Sequence, residues 1–329
     1  MAAGVGEAIA RNGVHYPWQY VRDVLGSADY AVVNLETAVA GSGTGTPDDK
    51  QFTFRSDPRS LDGLTGAGVD LVTLANNHSL DYGRAALLET LEHLDAREIA
   101  RVGAGATAAE AYAPVIVRFG TLRVGFIGVS RVYPFDYWQA SATTAGVASG
   151  YDSALDRVLA AVDAALPSVD ALFLLVHWGA ELAAEPRSID RNFADSVLAH
   201  GVTGIIGHHP HVLQGFRVVP ETGQLVAWSL GNFVFRSHRE ETRLSAVLLV
   251  DLAEDGRIVA ARVEPIYIHD VQPRPAGDHT PAVLRRLRTL SAPFATTIDD
   301  AGRLGYPELA PRPRPRPPIV IKLPILRIP

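Results

Sequence analysis

The segment Gly204-Ile-Ile-Gly-His-His-Pro-His211 runs a short apolar stretch straight into three of the chain's eleven histidines. An imidazole carries two ring nitrogens, and burying them without hydrogen bonds or a metal is costly. A strand that ends in such a cluster therefore asks for a ligand. Working outward, the same arrangement recurs. Tyr30 to Val33 leads into Asn34-Leu-Glu36, Leu71 to Ala75 into Asn76-Asn77-His78, Ala171 to Val176 into His177-Trp178-Gly179, and Leu225 to Trp228 into Ser229-Leu-Gly-Asn232. Five apolar runs thus end in groups that bind metals or move protons. In open α/β sheets the carboxyl ends of the strands form the ligand crevice, so the five tips are expected to converge there.

Further strands are expected over Leu122–Gly128, Ala246–Leu252 and Arg257–Tyr267, and helices over Gly83–Ala96, Tyr151–Leu166 and Ser188–His200. Strand and helix alternate, which places the chain in the α/β class or in a layered αββα arrangement. Taken singly, Asn34 or Asn232 reads as a turn residue, and His177 reads equally as a core histidine. His209 and His211, separated by one proline on an extended segment, can face a single point. A set of imidazoles, a carboxylate and a carboxamide without sulfur suits zinc, manganese, iron or cobalt rather than copper(I) or calcium.

Composition narrows the remaining classes. The 329 residues are 47% hydrophobic and 20% charged, with net charge -6, the profile of a globular protein with a sizeable core. Arg285-Arg286 and the Arg312-Pro-Arg314-Pro-Arg316 run are too short to make a basic patch, so no nucleic-acid partner is expected. The absence of cysteine excludes disulfides, thiolate metal sites and cysteine nucleophiles. No segment approaches the roughly 18 apolar residues of a membrane span. Pro311 to Pro318 reads as an extended polyproline II spacer, and the apolar run Ile319 to Pro329 as an edge strand, a partner-binding tail or a disordered terminus.

The ordered motifs NLETAV (34–39), FTFRS (52–56), LANNHSLDYG (74–83), VGAG (102–105), VHWGAEL (176–182), GHHPHVLQGF (207–216) and SLGNFVF (229–235) closely resemble those of the CapA family, the poly-γ-glutamate capsule synthesis proteins. The resemblance spans roughly residues 5–237. It implies a metallophosphoesterase-like fold, a two-sheet β-sandwich flanked by helices, with residues 1–268 as that domain and 269–329 as a C-terminal extension.

Carried over by position, it implies Glu36, Asn77, His177, His209 and His211 as ligands for one or two divalent ions. His78 becomes a general acid oriented by Asp81, a competent arrangement near neutral pH. Arg55, Trp178, Glu181, His208 and Asn232 are expected around the substrate. The function implied is hydrolysis or acid/base chemistry on a poly-γ-glutamate or peptide substrate, with peptide epimerisation or a non-catalytic role in a capsule synthesis complex as alternatives.

The chain departs from the family at its start. The first strand, ending in a Gly-Asp whose aspartate is a ligand, has no counterpart before Met1. The expectation is a truncated form of a longer protein. Its location would be cytoplasmic as written, and membrane-associated or extracytoplasmic if an anchor precedes it.

Overall fold

The computed structural model describes residues 4–309, so the spacer and tail expected beyond residue 310 lie outside it. Twelve strands carry the fold: β1 Val32–Asn34, β2 Leu71–Thr73, β3 Ala100–Val102, β4 Val115–Phe119, β5 Leu122–Ser130, β6 Ala171–His177, β7 Gly204–His208, β8 Phe216–Val218, β9 Leu225–Ala227, β10 Leu244–Leu252, β11 Ile258–His269 and β12 Gln272–Pro275. The main helices are α1 Val5–Asn12, α2 Leu61–Gly66, α3 Gly83–Asp95, α4 Leu155–Ala165, α5 Ser188–Ala199 and α6 Thr280–Ser291.

β1, β2 and β3 form a parallel sheet in that order. A six-stranded sheet has the order β8-β9-β7-β6-β5-β4, parallel through its centre from β9 to β5. β10, β11 and β12 form an antiparallel sheet.

Packing arranges these in the expected αββα layers. β6 is buried at every position because it is covered on both faces, and its period-two alternation separates the two cores. Phe173 and Leu175 join Val102, Phe126, Ala246 and Val263 between the sheets. Leu172, Leu174 and Val176 meet Val158 and Val162 of α4 and Phe193 and Val197 of α5 on the outside. On the other outer face, Leu61 and Leu64 of α2 and Leu87, Leu91 and Leu94 of α3 cover Val72 and Leu74. Each helix contributes residues three or four apart, the stripe that a one-sided helix buries.

Glycine lets the layers close around the crevice. A Cβ on Gly207 would lie 2.1 Å from the Trp228 carbonyl and 2.3 Å from the Trp178 indole nitrogen, so the last turn of the GIIG run must be glycine for β7 to seat.

The structure shifts several expected boundaries. α4 begins at Leu155, behind a 3-10 turn over Asp152–Ala154, rather than at Tyr151. β1 starts at Val32, because Ala31 is taken up by bonds to Asp70 and Leu71. β4 was not anticipated, although its sequence VIVRF alternates half-buried and exposed positions. At residue 268 the chain is inside β11. Beyond it, β12 pairs with β11, and Val283, Leu284 and Leu287 of α6 enter the inter-sheet core. No helix of the described residues is long and apolar enough to cross a membrane.

Candidate functional site

The ends of β1, β2, β6, β7 and β9 meet at one edge of the sandwich, and their side chains form a single cluster. One ligand atom each from Glu36, His177 and His209 lies within 4.8 Å of the others. Glu36 Oε1 is 3.6 Å from His177 Nε2 and 4.0 Å from His211 Nε2. His177 Nε2 also stands 2.9 Å from Asn77 Oδ1. The His177 and His209 ring centres are 4.8 Å apart, and those of His209 and His211 5.8 Å apart. The structure therefore brings together all five residues expected to ligate.

His209 and His211 meet by a different backbone route than the extended segment expected. β7 stops at His208, and both histidines take positive φ, 101° and 60°. Such conformations cost non-glycine residues about 1 to 3 kcal/mol each and concentrate at functional sites. The turn points both rings inward because Pro210 and the Pro210 carbonyl, which accepts from Leu182 N, hold the loop down.

Neighbours fix these groups. Asn76 donates to Asn34 Oδ1 (3.1 Å) and to the Leu35 carbonyl, and Asn34 donates to Glu36 Oε2 (2.9 Å). One carboxylate oxygen is thereby tied, while Oε1 is buried without a partner. Asn232 Oδ1 sits 2.8 Å from His211 Nδ1, a contact that fixes the orientation of that ring, and Asn232 lines the same cavity as His209 and His211. His78 Nδ1 lies 2.7 Å from Asp81 Oδ2, and Phe54 stacks on its ring at 4.2 Å. Lys50 Nζ binds Asp81 Oδ1 at 2.7 Å and also the Asn77 carbonyl. Lys50 and Phe54 are neighbours that the sequence reading missed, and Asn34 and Asn76 were placed at strand tips there without a role at the site. The Asn76-Asn77 doublet was the available signal for Asn76, and nothing local marked Lys50, whose partners lie 27 to 31 positions away.

The remaining expected residues fall elsewhere. Trp178 is core: it is fully buried, stacks on Trp228 at 5.1 Å and donates its indole N–H to the Trp228 carbonyl. Its hydrophobicity places it there, which corrects its assignment to the substrate. Arg55 lies over the Tyr82 ring at 4.3 Å and donates to the Thr44 carbonyl. Glu181 is exposed on the loop beside the histidine turn. His208 lines the interior cavity together with His209 and His211.

Burial dominates the electrostatics. It holds His177 well below the ordinary imidazole range, with the neighbouring histidines adding to the effect. It pushes His209 down to about 3, and His208 to about 4. All three are neutral at pH 7, the form that ligates. The unfolded rings titrate near 6.5, so below that pH the unfolded chain binds protons that the folded chain refuses. Stability is therefore present above pH 6.5 and lost on acidification, by about 2 kcal/mol at pH 5 for each of His208 and His209. Urea unfolding of the metal-free chain at pH 7.5 and pH 5 should show this loss, and equal stabilities would refute it.

The sequence pattern of the bacterial capsule synthesis protein family PGA_cap matches residues 1–237. The chain belongs to this family. Similar proteins include the capsule biosynthesis protein CapA of Bacillus anthracis, 27% identical over 84% of this chain and 67% of that protein. The PGA biosynthesis protein CapA of Bacillus subtilis is 27% identical over 93% of this chain and 79% of its own length. Among solved structures, a phosphatase from Mycoplasma pneumoniae aligns with 82% of this chain and 90% of its own at a TM-score of 0.47 and 13% identity.

The cluster of this PGA_cap chain suits a divalent ion. Glu36 Oε1, buried and without a hydrogen-bond partner, faces His177 Nε2 and His211 Nε2, and would otherwise be left at a desolvation cost of about 1 to 3 kcal/mol. A carboxylate with neutral imidazoles and the Asn77 carboxamide is a nitrogen and oxygen set appropriate to manganese, zinc, iron or cobalt. Outer partners of metal ligands typically contribute about 10- to 100-fold to affinity. Asn232→Ala should therefore weaken metal binding by that factor, measured by chelator competition. Unchanged affinity would mean that His211 needs no orientation or does not ligate.

Proposed function

We propose that this PGA_cap protein is a metal-dependent enzyme of poly-γ-glutamate metabolism that hydrolyses a γ-glutamyl or other peptide-type bond. The observation that carries the reading is the pairing of two constellations in one crevice. Glu36, Asn77, His177, His209 and His211 form the ligand cluster, and His78, the residue next to Asn77, is backed by Asp81 and Lys50.

A bound divalent ion would lower the pKa of water and stabilise negative charge on a substrate oxygen. The chain's own residues supply the rest. Asp81 accepts from His78 Nδ1, which fixes the ring and leaves Nε2 as the nitrogen that exchanges a proton with substrate. Lys50 occupies the other Asp81 oxygen and holds the Asn77 backbone, so the acid and the ligand turn are braced by one side chain. Phe54 packs against the His78 face and narrows its access to water.

The test is to load the purified chain with manganese, zinc, iron(II) or cobalt and supply γ-linked glutamate oligomers. New amino termini are expected with γ-linked oligomers, and none after chelation. Deuterium uptake at the α-carbon without cleavage would favour epimerisation by the same residues. Relatives from Mycobacterium tuberculosis bear the name probable polyglutamine synthesis accessory protein. Metal binding with neither cleavage nor exchange would assign this chain such a non-catalytic role in a synthesis complex.

A further inference from the structure

The loop that follows β6 leaves the cluster at His177 and ends at Arg187, the residue before α5. It is built against the histidine turn. Gly179, at φ 93°, leaves room for the Pro210 ring, which lies 3.1 Å from where a Cβ would stand. Leu182 donates its N–H to the Pro210 carbonyl while holding φ 60°, a conformation that is costly for a non-glycine residue and concentrates at functional sites. Gln214 then donates to the Ala183 carbonyl. These contacts carry the loop past the ligand turn to Arg187.

A buried carboxylate holds Arg187 in place. Its Nε donates to Asp190 Oδ2 at 2.7 Å and its Nη2 to Asp190 Oδ1 at 3.0 Å. Asp190 is fully buried and shares Oδ1 with Nε of the buried Arg131, whose backbone N–H donates to the His177 carbonyl. Two guanidinium groups thus divide one carboxylate. Arg131 commits its other nitrogens to the Gly150 carbonyl and Asp152, whereas Nη1 of Arg187 has no partner among the described residues and the side chain is 37% exposed. The fork on Asp190 leaves the opposite edge of the guanidinium, Nη1 and the outer N–H of Nη2. That edge can grip a second carboxylate with two parallel bonds.

Its charge reaches the crevice. After burial and the neighbouring His211 and His78, Arg187 is the next influence that holds His209 down, ahead of Lys50. Lys50 is already engaged by Asp81 and the Asn77 carbonyl, and Arg55 lies over Tyr82.

Resting on the proposed cleavage of a peptide-type bond in this crevice, we infer that Arg187 binds a free α-carboxylate of the substrate and so selects γ-linked glutamate over neutral peptide chains. In a γ-linked chain each residue carries its α-carboxylate directly on the backbone, one carbon from an amide nitrogen. In an α-linked chain that carbon bears an amide carbonyl, and any carboxylate sits at the far end of a side chain. A fixed cation beside the ligand turn distinguishes the two. With a net charge of -6 the chain as a whole repels a polyanion, so the attraction has to be local.

The experiment measures, by calorimetry on the chelator-stripped chain, the binding of γ-linked glutamate oligomers and of the same oligomers with their α-carboxyl groups converted to carboxamides. The carboxylate form is expected to bind about ten- to hundredfold more tightly, the range of a hydrogen bond to a charged group. Arg187→Gln should remove that difference by weakening the carboxylate form alone, and Arg187→Lys, which keeps the charge without the fork, should retain part of it. In the metal-loaded chain the loss should appear in KM with kcat little changed, because the contact is made before the transition state as well as in it.

Equal affinity of the parent chain for the two oligomers overturns the inference, and that comparison needs no variant to fold. So does a loss in Arg187→Gln that is the same for both oligomers, since it then reflects an altered loop. The two readings fail separately. A chain that binds and cleaves both oligomers alike keeps hydrolysis and loses this role for Arg187, whereas one that cleaves neither yet separates them by affinity keeps the role and loses hydrolysis.

Discussion

His78→Ala is expected to lower turnover of a γ-glutamyl substrate by about 100- to 10,000-fold while leaving the bound metal in place. That range is what a positioned proton donor contributes. The expectation follows from where the ring's bonds go. His78 Nδ1 is committed to Asp81, and the ring is not among the groups whose donor atoms converge at Glu36. Its backbone N–H, which donates to Asn76 Oδ1, survives the substitution, so the turn that presents Asn77 should persist. Elemental analysis beside steady-state kinetics separates the outcomes. Metal loss equal to that of a ligand variant would make His78 a ligand. Unchanged turnover with retained metal would remove it from the chemistry.

The opposite pattern is expected of His209→Ala and Glu36→Gln: metal is lost first, and turnover falls because of it. Glu36 is the one carboxylate in the converging cluster among the described residues, so replacing it removes the negative charge that offsets a divalent cation. The loss should exceed the roughly 10- to 100-fold typical of outer partners. The same reasoning limits the parent chain. With a single carboxylate and otherwise neutral donors, it is expected to hold at most one ion tightly, because affinity falls with ligand charge and number. Titration of metal into the chelator-stripped chain measures this. Two tightly held ions, or full metal content in Glu36→Gln, would show that the cluster is built from other donors.

The sequence by itself determined the class and the cast. Apolar runs ending in NLE, NNH, HW, HHPH and SLGN marked the strand tips, because a buried strand followed at once by polar groups is a local pattern that neighbouring residues write between them. That pattern marked the stretches that converge, the order of the motifs pointed to the capsule synthesis family, and the resemblance to that family singled out Glu36, Asn77, His177, His209 and His211 among them.

Only the tertiary structure decided the partnerships. Lys50 braces Asp81, Asn34 and Asn76 tie one oxygen of Glu36, and Asn232 turns His211. Trp178, adjacent to His177 in sequence, faces the opposite way into the core. Side-chain direction reverses at each strand position, and hydrogen bonds between distant loops leave no periodicity to read.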